Sequence, residues 1–222
     1  MKKYQILSGN QLKLLALITM TIDHVGSRLF PQIAILRIIG RLAYPIFAYM
    51  IAEGCHYTKN RTRYLLTVLG LGVCCQLIYI IAFRNFYCNI LLTFSLSIAT
   101  IYLLEKKRWY SVLWMAFVAV VTVILPTLLS NIGFVIDYGF MGVLVPVLVY
   151  FAGENKLLAM LTGLLVLSAS SGGIEWYSLF ALIPLALYNG KRGKWKLKYL
   201  FYVYYPAHLF LIYVVYYFFF RK

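Results

Sequence analysis

The chain has 222 residues, 63% of them hydrophobic, 18% aromatic and only 12% charged, with a formal net charge of +15. Soluble domains are about 45–50% apolar and about 25% charged, so a soluble fold is excluded and a separate soluble domain finds no room. The positive charge tempts one toward nucleic acid, but it sits in short blocks between apolar stretches, as cytoplasmic loops do. Its second use is attraction of anionic lipid or an anionic cofactor, and no nucleic-acid partner is expected.

Apolar stretches near the ~20 residues that cross a ~30 Å hydrocarbon layer as a helix recur from end to end. In lipid the backbone satisfies its own hydrogen bonds, which admits helices or a closed barrel. The runs are continuous rather than alternating, which excludes the barrel. The expected spans are 11–30, 34–55, 64–83, 88–104, 109–128, 137–152, 156–170, 174–189 and 198–219. The fold class is all-α, a polytopic transmembrane helix bundle of about nine spans. No repeat or low-complexity linker stands out, so 1–222 reads as one domain in the cell membrane. Met1 to Phe30 begins like a signal peptide. Its apolar run is too long, however, and carries Asp23 and His24 with no clear small-x-small cleavage site, so it reads as a retained helix. Cys55, Cys74, Cys75 and Cys88 make no Cys-x-x-Cys pair, read as buried bystanders, and leave no metal site expected.

With the N-terminus in the cytoplasm, that side receives Lys2, Lys3 and Lys13, then Lys59, Arg61 and Arg63, then Lys106, Lys107 and Arg108, then Lys156. It finally receives Lys191, Arg192, Lys194, Lys196 and Lys198. Outside remain Arg28, Arg84, Arg221 and Lys222, while Arg37 and Arg41 lie in or near the second span. This asymmetry favours the cytoplasmic N-terminus; the terminal pair outside is the one objection.

Ionisable groups at membrane depth are costly and face a cavity or a partner. His24 lies ~20 Å along the first span, beyond its midplane. Arg37 and Arg41, four apart, share a helix face, and so do Asn89 and Thr93 at the start of the fourth span. Asp137 and Glu175 open the sixth and eighth spans, and His208 sits near mid-depth of the ninth. Together they suggest an internal polar chamber. Each also has a plainer reading. Asp23 can simply neutralise Arg37 or Arg41, and it stands about 100° around the helix from His24, so the two do not face each other. His24 is either a hydrogen-bonded interior residue or a general base or ligand. His208 can serve a carbonyl freed by Pro206. Asp137 and Glu175 fit helix-start charges favoured by the dipole. Glu53, near His56 and the Lys59–Arg63 block, either ties a loop down or lines a cofactor mouth.

The stretches Leu12–Gly26 (LKLLALITMTIDHVG) and Gly40–Gly54 (GRLAYPIFAYMIAEG), with Tyr57, Thr58, Lys59, Asn60 and Arg61 following, resemble the TraX family. So do Asp137–Gly142 (DYGFMG), Tyr188–Gly193 (YNGKRG) and Tyr205–Leu209 (YPAHL), in the expected order over nearly the whole chain. The family is named for N-terminal acetylation of conjugative pilin and is similar to multi-spanning membrane acyltransferases that place a histidine in the first span with arginines nearby. The resemblance implies an acetyltransferase that uses acetyl-CoA on an envelope acceptor: a pilin amine, a surface glycan hydroxyl or a lipid headgroup. His24, Arg37 and Arg41 fit the pattern. His24 would be the base, Arg37 or Arg41 the oxyanion partner, and His208 a positioning or relay group. Asp23, Glu53, Asn89 and Asp137 would support them. Lys59, Arg61, Arg63, Lys191 and Arg192 would hold the donor's phosphates by charge-assisted contacts. The competing reading is a transporter or channel lined by the same groups; it calls for matching halves, which the sequence does not show.

Overall fold

A computed structural model of the protein describes residues 5–84, 86–195 and 198–219. Lys2, Lys3, Lys196, Arg221 and Lys222, which carry part of the expected charge asymmetry, lie outside the described residues. The described chain is helical apart from one pair of two-residue strands and short connections. In order, the elements are α1 (Gly9–Arg28), α2 (Ala34–Gly40), α3 (Ala43–Tyr57), α4 (Arg61–Phe83), β1 (Tyr87–Cys88), α5 (Ile90–Leu104) and α6 (Tyr110–Ala119). A π turn (Val120–Ile124), α7 (Leu125–Leu128), β2 (Val135–Ile136), α8 (Gly139–Phe151) and α9 (Lys156–Ser171) follow. A 3₁₀ helix (Gly173–Ala181), α10 (Leu182–Ala186) and α11 (Lys198–Phe219) end the described chain.

Among the described residues, four stretches are long and apolar enough to cross a membrane: Ala34–Tyr57, Arg61–Ile81, Tyr110–Leu128 and Leu200–Phe219. Shorter apolar helices are Ile90–Leu104, Gly139–Phe151 and Gly173–Ala186. Along α4, Leu66, Leu69, Val73, Leu77 and Ile81 are all exposed. That stripe at three- and four-residue spacing belongs against lipid, because a soluble helix turns such a face inward. Exposed Trp109 follows Lys106, Lys107 and Arg108, and exposed Trp195 follows Lys194. Tryptophan beside basic residues is the signature of a membrane–water boundary.

The expected second span is interrupted. Gly40 ends α2, and α3 begins only at Ala43. The fifth span contains the π turn just before Pro126; proline has no N–H to give the carbonyl four residues back, and the ladder widens there. The eighth span starts as a 3₁₀ helix rather than an α-helix.

The helices group into two compact units, Met1–Met50 with Leu157–Lys222, and Ile51–Lys156. In the first, α1 packs against α2 and α11, and α2 packs against the 3₁₀ helix. Its start is tightly specified. The side chains and backbones of Ser8 and Gln11 form a reciprocal capping box. Gly9 and Asn10 donate their N–H groups to the Lys191 and Arg192 carbonyls at 2.8 and 2.9 Å. The Asn10 amide reaches the Trp195 carbonyl at 2.6 Å, and Leu7 pairs with Tyr188 in a parallel bridge. The first orphan amides of the helix are thereby satisfied by protein groups. Gly193 at φ +93° allows the approach, since a Cβ there would crowd Ser8.

In the second unit, α5 packs against α4, α6 and α8. Small polar side chains tie it in: Ser97 donates to the Val143 carbonyl at 3.0 Å, and Trp114 donates to the Thr100 hydroxyl at 2.9 Å. Interhelical hydrogen bonds of this kind hold helices together where lipid removes the hydrophobic drive.

Candidate functional site

The first unit gathers five of the polar residues expected at membrane depth, together with a sixth the sequence reading had set aside. The last turns of α1 carry Asp23 and His24. Asp23 accepts from Arg37 Nη1 at 2.5 Å and from Arg41 Nη2 at 2.6 Å, so it serves both arginines rather than one. Arg41 Nη1 pairs with Glu175 on the 3₁₀ helix, and Arg41 Nε donates to the Arg37 carbonyl at 3.3 Å. Two guanidiniums and two carboxylates thus form one charge-balanced network. Such mutual pairing is the condition on which charges survive in a low-dielectric interior.

Gly40 makes this possible. A Cβ at Gly40 would collide with the Asp23 carboxylate, and one at Gly26 would come within 2.6 Å of Leu36 Cβ. Glycine at both positions lets α1 and α2 close up until Asp23 reaches both arginines.

The two arginines differ. The Arg41 side chain is 9% exposed, and its Nε, Nη1 and Nη2 are all engaged. Arg37 is 30% exposed, and among the described residues only its Nη1 is engaged, by the Asp23 carboxylate and carbonyl. Arg41 is the keystone of the network; Arg37 keeps donors for something else.

His24 points away from Asp23, as the helix geometry requires, and meets α11. His24 Nδ1 lies 2.8 Å from His208 Nε2, with the rings nearly parallel at 6°. His208 Nδ1 lies 3.0 Å from the Tyr204 carbonyl. A carbonyl only accepts, so His208 Nδ1 carries the proton. In the neutral ring, His208 Nε2 is then an acceptor, and His24 Nδ1 must donate to it. His24 is left with its lone pair on Nε2. Pro206 has no N–H to give the Tyr202 carbonyl, and His208 Nδ1 lies on the Tyr204 carbonyl, two residues before the proline. Tyr204 also stacks on His208 at 5.3 Å, and its hydroxyl lies 2.8 Å from Thr21 Oγ1. Thr21 donates to the Leu17 carbonyl, so Tyr204 donates to Thr21. These contacts lock α11 onto α1 and fix both imidazoles.

Three of the expected supporting residues belong to the second unit and are held there by local partners. Asn89 caps α5: its Oδ1 accepts from Leu91 N at 3.1 Å, and its amide reaches the Gly72 carbonyl at 2.9 Å. Asp137 accepts from the Tyr87 hydroxyl, and its carbonyl accepts from Thr93 at 2.9 Å. Burial and then the Asp137 charge push the Tyr87 hydroxyl above its usual range, which keeps it a donor. Glu53 pairs with Lys156 at 2.5 Å, the loop-tying alternative, with a different lysine from those anticipated.

Of the expected phosphate-holding residues, Arg61 is bound to Glu105 at 2.5 Å and lies over the Tyr102 ring. Glu105 also accepts from the Tyr150 hydroxyl. Lys59 and Arg63 are exposed on the second unit, while Lys191 and Arg192 are exposed on the first. None of these four has an ion-pair partner among the described residues. Each basic pair, taken within its own unit, has the charge to hold a phosphate; Arg61, already paired, has it least.

Glu175, which from sequence fits a helix-start charge, is the second carboxylate of the network. The signal was present: two arginines at membrane depth call for two carboxylates, and Asp23 supplies one.

The chain is 32% identical over 179 residues to an uncharacterized protein of Rickettsia prowazekii (strain Madrid E), covering 80% of this chain and 68% of that one. It is 27% identical over 236 aligned positions to the "Probable fimbrial assembly protein FimC, serogroup H1" of Dichelobacter nodosus, covering 92% of this chain and 94% of the other. No solved structure matches it. The family described as TraX protein matches residues 8–216, nearly the whole chain, and the protein belongs to the TraX family.

Proposed function

We propose that this protein is a membrane-embedded acyltransferase that moves an acetyl group from cytoplasmic acetyl-CoA to an amine or hydroxyl of an envelope acceptor. The observation that carries the reading is the His24–His208–Tyr204 relay, which leaves His24 Nε2 as a base one residue along α1 from Asp23, the carboxylate that holds Arg37, the arginine with donors to spare. The acceptor's proton goes to His24 Nε2 as its oxygen or nitrogen bonds to the acetyl carbonyl carbon. Arg37 stabilises the oxyanion that develops on the thioester carbonyl, an effect worth ~3–4 kcal/mol for one well-placed donor. The C–S bond then breaks, and the departing thiolate takes the proton back from His24. His208 holds the tautomer that makes this possible. Lys191 and Arg192, exposed on the same unit as His24 and Arg37, are the residues for the donor's phosphates.

The chain is read as about nine spans in the inner membrane with a cytoplasmic N-terminus. The basic loops support this orientation, and the neighbouring Trp109 and Trp195 suit a membrane boundary. The fimbrial assembly relative supports an acceptor in pilus-related material.

Interrupted helices at Ala34–Tyr57 and Gly173–Ala186 also suit a transporter. One experiment separates the readings. Membranes carrying the protein are incubated with radiolabelled acetyl-CoA, and sealed vesicles are assayed for solute flux. Covalent label in envelope material supports the enzyme. Flux without label contradicts it.

A further inference from the structure

The 3₁₀ helix Gly173–Ala181 runs for nine residues, whereas 3₁₀ runs beyond three or four residues are uncommon because their hydrogen-bond geometry is poorer. The geometry has a consequence for its side chains. At three residues per turn, positions i, i+3 and i+6 eclipse, so Glu175, Ser178 and Ala181 stand in one row. That row is the inward one: Ser178 is 1% exposed, Ala181 is fully buried and the Glu175 side chain is 14% exposed. Trp176, Tyr177 and Phe180 face out. An α-helical turn over the same residues would rotate Ser178 about 60° out of line with Glu175.

Both polar members of the row have bonding capacity unused. Glu175 Oε1 is taken by Arg41, but Glu175 Oε2 and Ser178 Oγ are buried and have no hydrogen-bond partner among the described residues. Buried polar atoms are almost always paired, and leaving one unpaired costs the desolvation of the group. Two such atoms, adjacent on one face, are positioned by a rigid frame. Arg41, itself held by Asp23, holds the Glu175 head, the Ser168 hydroxyl donates to the Glu175 carbonyl at 3.1 Å, and α2 packs along the helix.

We propose that Glu175 Oε2 and Ser178 Oγ form the acceptor subsite, and that the group they recognise is a neutral hydroxyl, as on a sugar or polyol. A hydroxyl of the acceptor other than the one that reacts donates to Glu175 Oε2, and Ser178 Oγ bonds a hydroxyl next to it. Charge selects the alcohol over an amine. Asp23 and Glu175 already balance Arg37 and Arg41, so an arriving ammonium would add an unbalanced positive charge beside two guanidiniums, whereas an alcohol leaves the balance intact. Sites built to hydrogen-bond a substrate hydroxyl reject analogues that lack it. This assignment rests on the transferase reading for its role as acceptor subsite, but the binding event itself does not.

The test uses the full chain, purified in detergent, as wild type and Ser178→Ala, with methyl glucoside as hydroxyl probe and phenylalanine amide as amine probe. Removing an unpaired buried hydroxyl leaves the melting temperature unchanged or raised. Methyl glucoside raises the melting temperature of the wild type and not of Ser178→Ala, and phenylalanine amide raises neither. In transfer assays the label on acceptor is released by mild alkali, as an ester is, and Ser178→Ala raises KM for methyl glucoside about tenfold with kcat little changed. A Ser178→Ala variant that melts several degrees lower would show the hydroxyl to be structurally paired and overturn the subsite. Protection by the amine instead, or alkali-stable label, would overturn the hydroxyl assignment. Protection by methyl glucoside without acetyl transfer by the wild type would uphold the subsite and end the transferase reading.

Discussion

Arg37 and Arg41 share a helix face and a carboxylate, yet their surroundings assign them different work. Arg41 is buried, bonded through all three nitrogens and linked to both Asp23 and Glu175. Lysine there offers a single point charge in place of a planar fork and breaks part of a buried network, so Arg41→Lys is expected to lower stability by about 3–5 kcal/mol. Arg37→Lys keeps the Asp23 pair and leaves stability within about 1 kcal/mol, but lowers kcat about 100-fold by removing the positioned oxyanion donor. Thermal unfolding in detergent and acetyl-transfer rates, measured on both variants, check the contrast; equal stability losses would contradict it. From sequence, the i,i+4 spacing showed that the two arginines share a face and that Asp23 was near enough to neutralise one. Their unequal exposure could not be read, because it depends on Glu175, which is 134 residues away from Arg41.

The elements explain how close those groups come. Gly40 lies at the junction of α2 and α3, against the Asp23 carboxylate. Gly40→Ala is expected to force α1 and α2 apart, cost about 2–4 kcal/mol and abolish transfer. Gly70 in α4 has open space around it, so Gly70→Ala is neutral or stabilising by up to about 1 kcal/mol. Unfolding of the two variants in parallel measures the difference, and a Gly40→Ala protein as stable as Gly70→Ala would contradict the packing described. The helix limits were legible because apolar runs end where charges and caps begin: Asn60 caps α4 and Asn89 caps α5. Asn89 had been placed in a polar chamber, although asparagine just before an apolar run is itself a cap signal. The break between Gly40 and Ala43 and the 3₁₀ start at Gly173 were not legible, since hydropathy does not change where the hydrogen-bond ladder does.

At the scale of the whole molecule, composition and the continuous apolar runs called for helices in lipid, and the described residues are helical with four stretches long enough to span. The meeting of His24 with His208 was beyond the sequence: 184 positions separate them, and only the packing of α11 on α1 brings imidazole to imidazole. Both histidines could be flagged as polar residues at membrane depth; their pairing, and with it the identity of the basic nitrogen, is a product of the fold. The transferase account depends on that nitrogen. The direct measurement reconstitutes wild type and His24→Ala in liposomes and follows the transfer of label from acetyl-CoA to an envelope acceptor extract. The account predicts transfer by the wild type and at least about a 1,000-fold loss in a folded His24→Ala protein. Transfer by His24→Ala at the wild-type rate would contradict it.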